Sequence, residues 1–244
     1  MVTRPARQAA AFAQKIAALG GDPIVFPAIV ILPPDDRAAL ERAHAALARY
    51  DLAFFVSANA AEYGVPPFAW PSALPAFAPG PGTAEALAAC GVPGVRVPAT
   101  TQDSEGLLAL PALADVRGKR AVIFRGDGGR ELLADTLRQR GASVDCVTCY
   151  RRAAPASGAQ GLVDALSHRR AHAITVTSSE GLDNLWHALG DTGRPLAQRL
   201  PWFAPHPRIA ARGRALGLTM CETAPGDAGL IAGLLDWARA PADR

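Results

Sequence analysis

This chain is laid out twice on one plan. Arg4 and Arg125, Gly20 and Gly141, and Ser57 and Ser178 are each 121 positions apart. Their surroundings correspond as well, since Phe54-Phe-Val-Ser57 falls opposite Thr175-Val-Thr-Ser178 at that same spacing. Further on the offset becomes 126, relating Phe77-Ala-Pro79 to Phe203-Ala-Pro205 and Gly91 to Gly217. One offset shared by several elements implies an internal duplication. A chain of 244 residues duplicated in this way is expected to form two domains of ordinary size.

The clearest copy of the repeated unit spans residues 120–152. Arg120-Ala-Val-Ile-Phe124 is short, apolar and β-branched, which reads as a buried strand. Asp127-Gly-Gly129 follows as a turn, because two glycines permit positive φ and close backbone approach. From Glu131, the residues Leu132, Leu133, Thr136 and Leu137 recur at helical spacing, and Gly141 supplies the stop. Residues 144–150 return to a strand. Such a unit leaves backbone N–H groups exposed where the helix begins, a seat for an anion. Its twin near the start reads Thr3-Arg4-Pro5, then Phe12, Ile16 and Leu19, then Gly20-Gly21 and Pro23-Ile-Val-Phe26.

Elsewhere strands are expected at 1–3, 52–56, 76–78, 173–177, 202–204 and 218–222. Helices are expected at 5–19, 36–49, 84–90, 160–170, 182–189, 209–216 and 227–240. A further helix is capped within 100–105 (Thr100 to Glu105) and ends near 114, and residues 151–158, closing on Gly158, form a connector. Pro79-Gly80-Pro-Gly82-Thr83 reads as a second glycine turn ahead of its helix. Strands alternating with helices at short spacing argue α/β domains with parallel sheets. Ligands of such sheets gather at the C-terminal ends of the strands, where the loops beginning at Arg4, Ser57, Gly80, Gly126, Ser178 and His206 all lie.

Composition narrows the chemistry. The net charge of +3 comes from arginine, Lys15 and Lys119 being the only lysines, and is too mild and dispersed for a nucleic-acid surface. It suits a small polyanion held by arginine forks and helix starts. The longest weakly charged region, near 54–84, is broken by prolines and cannot span a bilayer; with no signal-peptide pattern, a cytoplasmic protein is expected. Cys146-x-x-Cys149 lies within a strand and no second ligand pair follows at zinc spacing, so it reads as two small buried residues and no metal is expected. Gly126-Asp-Gly-Gly129 lacks the spacing of a dinucleotide fingerprint and the lysine of a P-loop, leaving a plain turn or a seat for another kind of anion. A nucleotide-dependent oxidoreductase is disfavoured accordingly. No G-x-S-x-G elbow surrounds Ser57 or Ser178, which disfavours a serine hydrolase. Tyr150, followed by Arg151 and Arg152, is the most suggestive titratable group; a strand tyrosine held only by packing stands beside that reading.

Taken together, several motifs resemble the uroporphyrinogen-III synthase family. They are Thr3-Arg-Pro5, Val56-Ser-Ala-Asn-Ala60, Pro79-Gly-Pro-Gly-Thr-Ala84, Arg125-Gly-Asp-Gly-Gly-Arg-Glu-Leu-Leu133, Tyr150-Arg-Arg152 and Thr177-Ser-Ser-Glu-Gly181, in the family's order across nearly the whole chain. The resemblance implies two similar parallel-sheet α/β domains joined by a two-stranded antiparallel linker near 28–32 and 149–153, with the active site in the interdomain cleft. It implies a discontinuous domain of 1–31 plus 154–244 and an inserted domain of 34–149. It implies a cofactor-free lyase that cyclises hydroxymethylbilane to uroporphyrinogen III, inverting ring D and losing water, and that acts as a monomer with possible hand-over from hydroxymethylbilane synthase. The matching tyrosine is Tyr150, the family's candidate for assisting departure of the hydroxyl. The loops matching the substrate seats carry Thr3, Arg4, Ser57, Ala58, Asn59, Gly80, Gly82, Thr83, Arg125, Gly126, Gly128, Gly129, Ser178 and Ser179. Where the second half would place a threonine equivalent to Thr83 it has Ile209, so Arg208 is expected to supply that contact. A two-domain binding protein for a small polyanion, without turnover, is the alternative.

Overall fold

The computed structural model describes residues 1–99, 101–155 and 159–240, with Arg7 described by its backbone alone. Thr100 and Gly158, expected in a cap and a connector, lie outside the described residues. The chain divides into two compact units, one of Met1–Val30 with Ala153–Arg244 and the other of Ile31–Arg152.

The second unit is built on a sheet of β1 (Val30–Leu32), β2 (Leu52–Phe55), β3 (Ala76–Phe77), β4 (Arg120–Gly126) and β5 (Ser143–Ala153), in the order β1-β5-β4-β2-β3. The pairs β2·β3, β2·β4 and β4·β5 are parallel. Both faces are covered, which explains why the strands read as unbroken apolar runs. Leu52, Phe54, Ala121 and Ile123 pack on one face with Leu133 and Leu137, whereas Ala53, Phe55, Val122 and Phe124 pack on the other with Ala60, Leu87 and Tyr150. Burying Phe54 and Phe55 completely contributes about 1.5–3 kcal/mol each relative to exposure. Helices α2 (Arg37–Ala45), α3 (Ala58–Gly64), α4 (Pro81–Ala89), α5 (Ser104–Leu108) and α6 (Leu132–Gln139) flank the sheet. Asp36, Ser57 and Asp103 cap α2, α3 and α5 by accepting from the N–H groups of Ala39, Ala60 and Gly106.

The first unit carries β6 (Ile174–Thr175), β7 (Pro201–Ala204) and β8 (Thr219–Glu222), in parallel and in that order. Val2 bridges both Val25 and Thr175 in parallel, extending the same order by two positions. Around it pack α1 (Ala6–Ala18), α7 (Gln160–Ser167), α8 (Ser179–Ala197), α9 (Pro207–Ala215) and α10 (Gly226–Arg239). The core gathers Leu162, Leu182, Leu185, Trp202 and Ile209 on one side and Val2, Phe12, Phe203 and Leu230 on the other.

Several expectations need correction. Residues 1–3 form no strand, only the isolated bridge at Val2, because two short partners flank it. The glycine turn at 79–83 is shorter than expected: α4 begins at Pro81, whose fixed φ suits a first helical position, so Gly82 and Thr83 lie inside its first turn. Helix α8 begins at Ser179 and continues past Leu189 through a kink at Gly190, whose φ of 55° the glycine alone tolerates easily. Cys146 is exposed and only Cys149 is buried, so the two are not a buried pair.

Candidate active site

The strand β5 is irregular where it matters. Arg125 pairs with Thr148 but Gly126 pairs with Tyr150, so Cys149 is a bulged residue with no partner of its own. The bulge breaks the alternation and turns Cys149 and Tyr150 toward one face. Cys149 Sγ fills the space beneath, donating toward the carbonyls of Arg125 at 3.3 Å and Ala60 at 3.7 Å. Burial is the main reason its thiol is pushed up to about 12. Tyr150 lands over Gly126, where no side chain stands in the way of its ring.

The tyrosine is packed in the core and reaches a pocket at once. It is only 1% exposed, yet it lines a pocket of about 230 Å³ at the C-terminal ends of β2 and β4. The pocket also touches Ser57, Ser104, Arg125, Gly126, Gly128, Gly129, Arg130 and Arg152. The Tyr150 hydroxyl lies 3.2 Å from Ser57 Oγ and accepts from the Arg152 guanidinium at 3.3 Å. Ser57 keeps its cap at the same time, accepting from the Ala60 N–H at 3.0 Å. The Tyr63 ring lies 6.3 Å from that of Tyr150, centre to centre, in a tilted arrangement.

Three arginines surround the pocket, each near an acid. Arg125 donates to Glu131 at 2.7 Å, a bond that holds the guanidinium above its ordinary pKa and the carboxyl below its own. Arg130 is bidentate to Glu105, one of the two contacts being 3.1 Å, and shifts it in the same sense. The backbone N–H of Arg152 sits 3.3 Å from both carboxylate oxygens of Asp127. These acids are exposed, so their pairing contributes little to the stability of the fold. Gly129, with φ of 137°, lets the loop turn between them.

Of the residues singled out from sequence, Ser57, Arg125, Gly126, Gly128, Gly129 and Tyr150 share this pocket. Ala58 and Asn59 open α3 beside it. Gly80, Gly82 and Thr83 sit at the start of α4, with Gly80 packed on Gln102 and Thr83 buried. In the first unit Thr3 is buried and donates to the Thr175 carbonyl at 2.7 Å. Arg4 is drawn to Asp227 at 2.5 Å and lies 4.4 Å from the centre of the Phe12 ring, so its charge is already met within the fold. Ser178 caps α8 through the Gly181 N–H, and Ser179 is its first residue. Arg208 is exposed, its backbone N–H capped by His206, while Ile209 is buried in the core. Ser104, Arg130 and Arg152 were missed as pocket residues. Arg130 follows the glycines directly and Arg152 follows the tyrosine, so position in the motif was the available signal.

Among the described residues no cluster of three or more potential metal ligands occurs, and no helix is long and apolar enough to cross a membrane.

Comparison with known proteins agrees on one family. The family model for uroporphyrinogen-III synthase HemD matches residues 10–232. The uroporphyrinogen-III synthase of Salmonella typhimurium is 37% identical over 193 residues, 76% of this chain and 78% of the relative. That of Escherichia coli is 36% identical over the same shares. Among solved structures, a mutant uroporphyrinogen III synthase from Thermus thermophilus superposes with a TM-score of 0.55 at 22% identity, covering 100% of both chains. Uroporphyrinogen-III synthetase from Helicobacter pylori gives 0.56 at 13% identity, covering 88% of this chain and 91% of the other. At these identities the two structures speak for the α/β fold alone. The family model and the two relatives reach across most of the chain, including the glycine loop and Tyr150, and they place it: this chain belongs to the uroporphyrinogen-III synthase family.

Proposed function

We propose that the chain converts hydroxymethylbilane into uroporphyrinogen III, and that Tyr150 is the acid of the reaction. The observation that carries the assignment of the acid is the hydroxyl of a buried tyrosine held between Ser57 and Arg152 at the mouth of a pocket rimmed by arginines. The pocket is smaller than the roughly 300–1,000 Å³ of sites for drug-sized ligands. It therefore houses the hydroxymethyl-bearing ring of the bilane rather than all four pyrroles. Tyr150 passes its proton to the hydroxyl, the C–O bond breaks with its electron pair leaving as water, and the pyrrole nitrogen feeds the resulting methylene cation. Attack by the substituted carbon of ring D gives a spiro intermediate; refragmentation and closure invert that ring. Loss of the ring-carbon proton at the end restores the phenol, so atoms balance as bilane to macrocycle plus water.

Carboxylate side chains of the substrate meet Arg125, Arg130 and the backbone N–H groups around Gly128 and Gly129, displacing Glu131 and Glu105. On this reading the substrate also reaches strand-end loops of the first unit at Thr3, Arg4, Ser178, Ser179 and Arg208, and Gly80, Gly82 and Thr83 complete the seats in the second. The reading takes the units as duplicated domains, 1–31 with 154–244 and 34–149. It is supported by the matching strand order, Val25, Val2, β6, β7, β8 against β5, β4, β2, β3 and the bridge at Arg96. It needs no cofactor, and places a monomer in the cytoplasm that takes the bilane from hydroxymethylbilane synthase.

The test is to generate hydroxymethylbilane from porphobilinogen with a deaminase, add the purified chain, and separate the product isomers. Isomer III in excess supports the proposal. Isomer I alone, with tight binding of bilane, would instead favour a non-catalytic polyanion-binding protein.

A further inference from the structure

We propose that Arg152 is the positioning residue of the reaction: it acts through Tyr150, holding the phenol oxygen in place and stabilising the negative charge that remains when the proton leaves. The inference rests on the reading of Tyr150 as the acid.

A guanidinium can only donate hydrogen bonds. The 3.3 Å contact from Arg152 to the Tyr150 oxygen therefore occupies a lone pair of that oxygen and leaves the phenolic proton free to point elsewhere. Ser57 Oγ, 3.2 Å away, either receives that proton at rest or donates its own. As the proton moves to the leaving hydroxyl, the oxygen gains charge, and the one cation already bonded to it is Arg152. That bond then changes from neutral acceptor to charged acceptor and strengthens in the transition state, which is the condition for accelerating the chemical step. The tyrosine is only 1% exposed and Arg152 is half-buried, so the contact is less screened than one on the open surface.

The arginine is also held for this task. Its backbone N–H is fixed by both oxygens of Asp127 at 3.3 Å, tying the strand after the bulge to the glycine loop. Its guanidinium carbon lies 5.6 Å from the centre of the Tyr150 ring. The other two pocket arginines are directed to carboxylates, Arg125 to Glu131 and Arg130 to Glu105. They suit the recognition of substrate acids, and Arg152 adds a hydrogen bond to the proton donor.

The experiment is a double-mutant cycle. The variants Arg152→Met, Arg152→Lys, Tyr150→Phe and Tyr150→Phe with Arg152→Met are assayed for kcat and KM of isomer III formation, after thermal unfolding shows each to be folded. Should Arg152→Met not fold, Arg152→Gln takes its place. Loss of a charge-assisted hydrogen bond is expected to lower kcat about 10- to 100-fold in Arg152→Met. KM should move less than about threefold, and Arg152→Lys should recover part of the rate. In the Tyr150→Phe background the arginine substitution should cost nothing further. A rise in KM with kcat unchanged would make Arg152 a carboxylate clamp and overturn the inference, as would multiplicative losses in the double variant. If Tyr150→Phe itself runs at the parental rate, the acid assignment fails and this inference with it. If Tyr150→Phe is slow and Arg152→Met is not, only the inference fails.

Discussion

Gly126 is the position at which the geometry of the site can be broken with a single methyl group. A Cβ added there would stand 2.8 Å from Cζ, 2.9 Å from Cε2 and 3.0 Å from the hydroxyl oxygen of Tyr150. Carbon atoms do not approach that closely, so the ring or the strand must move. The backbone at Gly126 lies outside the left-handed region, so alanine is not strained in itself and the whole cost comes from the clash. The ring cannot swing away cheaply, because it belongs to the packed face of the sheet with Phe124 and Cys149. Overpacking of this kind costs about 1–3 kcal/mol. At roughly 2–4 °C per kcal/mol for a chain of this size, a 2 kcal/mol loss lowers Tm by about 4–8 °C. Displacing the hydroxyl by ~1 Å should cost activity about 100-fold. The assays are thermal unfolding followed by circular dichroism and isomer-resolved turnover of Gly126→Ala. Gly161→Ala serves as control: nothing lies within 4 Å of its Cβ, and in helix α7 it should gain about 0.5–1 kcal/mol. A Gly126→Ala variant with parental Tm and parental rate would refute the placement of Tyr150 over the glycine.

Two further outcomes follow from the electrostatics. Burial raises the Asp227 pKa, but hydrogen bonds and charges from Lys15 and Arg4 together outweigh it and leave the carboxyl below its usual value. A depressed carboxyl stabilises above its unfolded pKa of about 3.9 and loses that contribution as pH falls through its folded value. Asp227→Asn should thus be less stable than the parent by on the order of 1 kcal/mol at pH 7, with the gap closing below about pH 4 in urea titrations; a constant gap would contradict the ion pairs. Cys149, pushed up to about 12 by burial, stays a neutral thiol at pH 8 and should resist alkylation in the native protein while exposed Cys90 and Cys146 react. Mass spectrometry counting native modification of Cys149 would count against its buried position.

Much of this architecture was legible in the residues. The apolar runs at 52–56 and 120–124 became β2 and β4 because a strand buried on both faces needs no polar positions. Ser57 and Ser178 were legible as strand ends because a serine at that point caps the next helix. The bulge at Cys149 was not legible, since it exists only in the pairing of β5 with a strand 24 positions earlier at Arg125. With it went the orientation of Tyr150, which the alternation of an unbroken strand would have sent to the other face. Arg130 was hidden because a long side chain goes where its partner is, and Glu105 is 25 positions away; Arg152, two residues beyond Tyr150 on the same strand, was within reach of the period-2 pattern. Gly82 and Thr83 read as turn residues because Pro81 looks like punctuation whether it ends a loop or starts a helix.

The most direct test of the account is the rate of isomer III formation by Tyr150→Phe beside the parental chain. The substitution keeps the ring and its packing, removes one hydroxyl, and leaves Ser57 its cap on α3, so folding should change by no more than about 1 kcal/mol. The site as described predicts a loss on the order of 10- to 1,000-fold in isomer III, with the freely cyclising isomer I rising in its place. Isomer III produced at the parental rate would show that Tyr150 is held in this structure for packing alone.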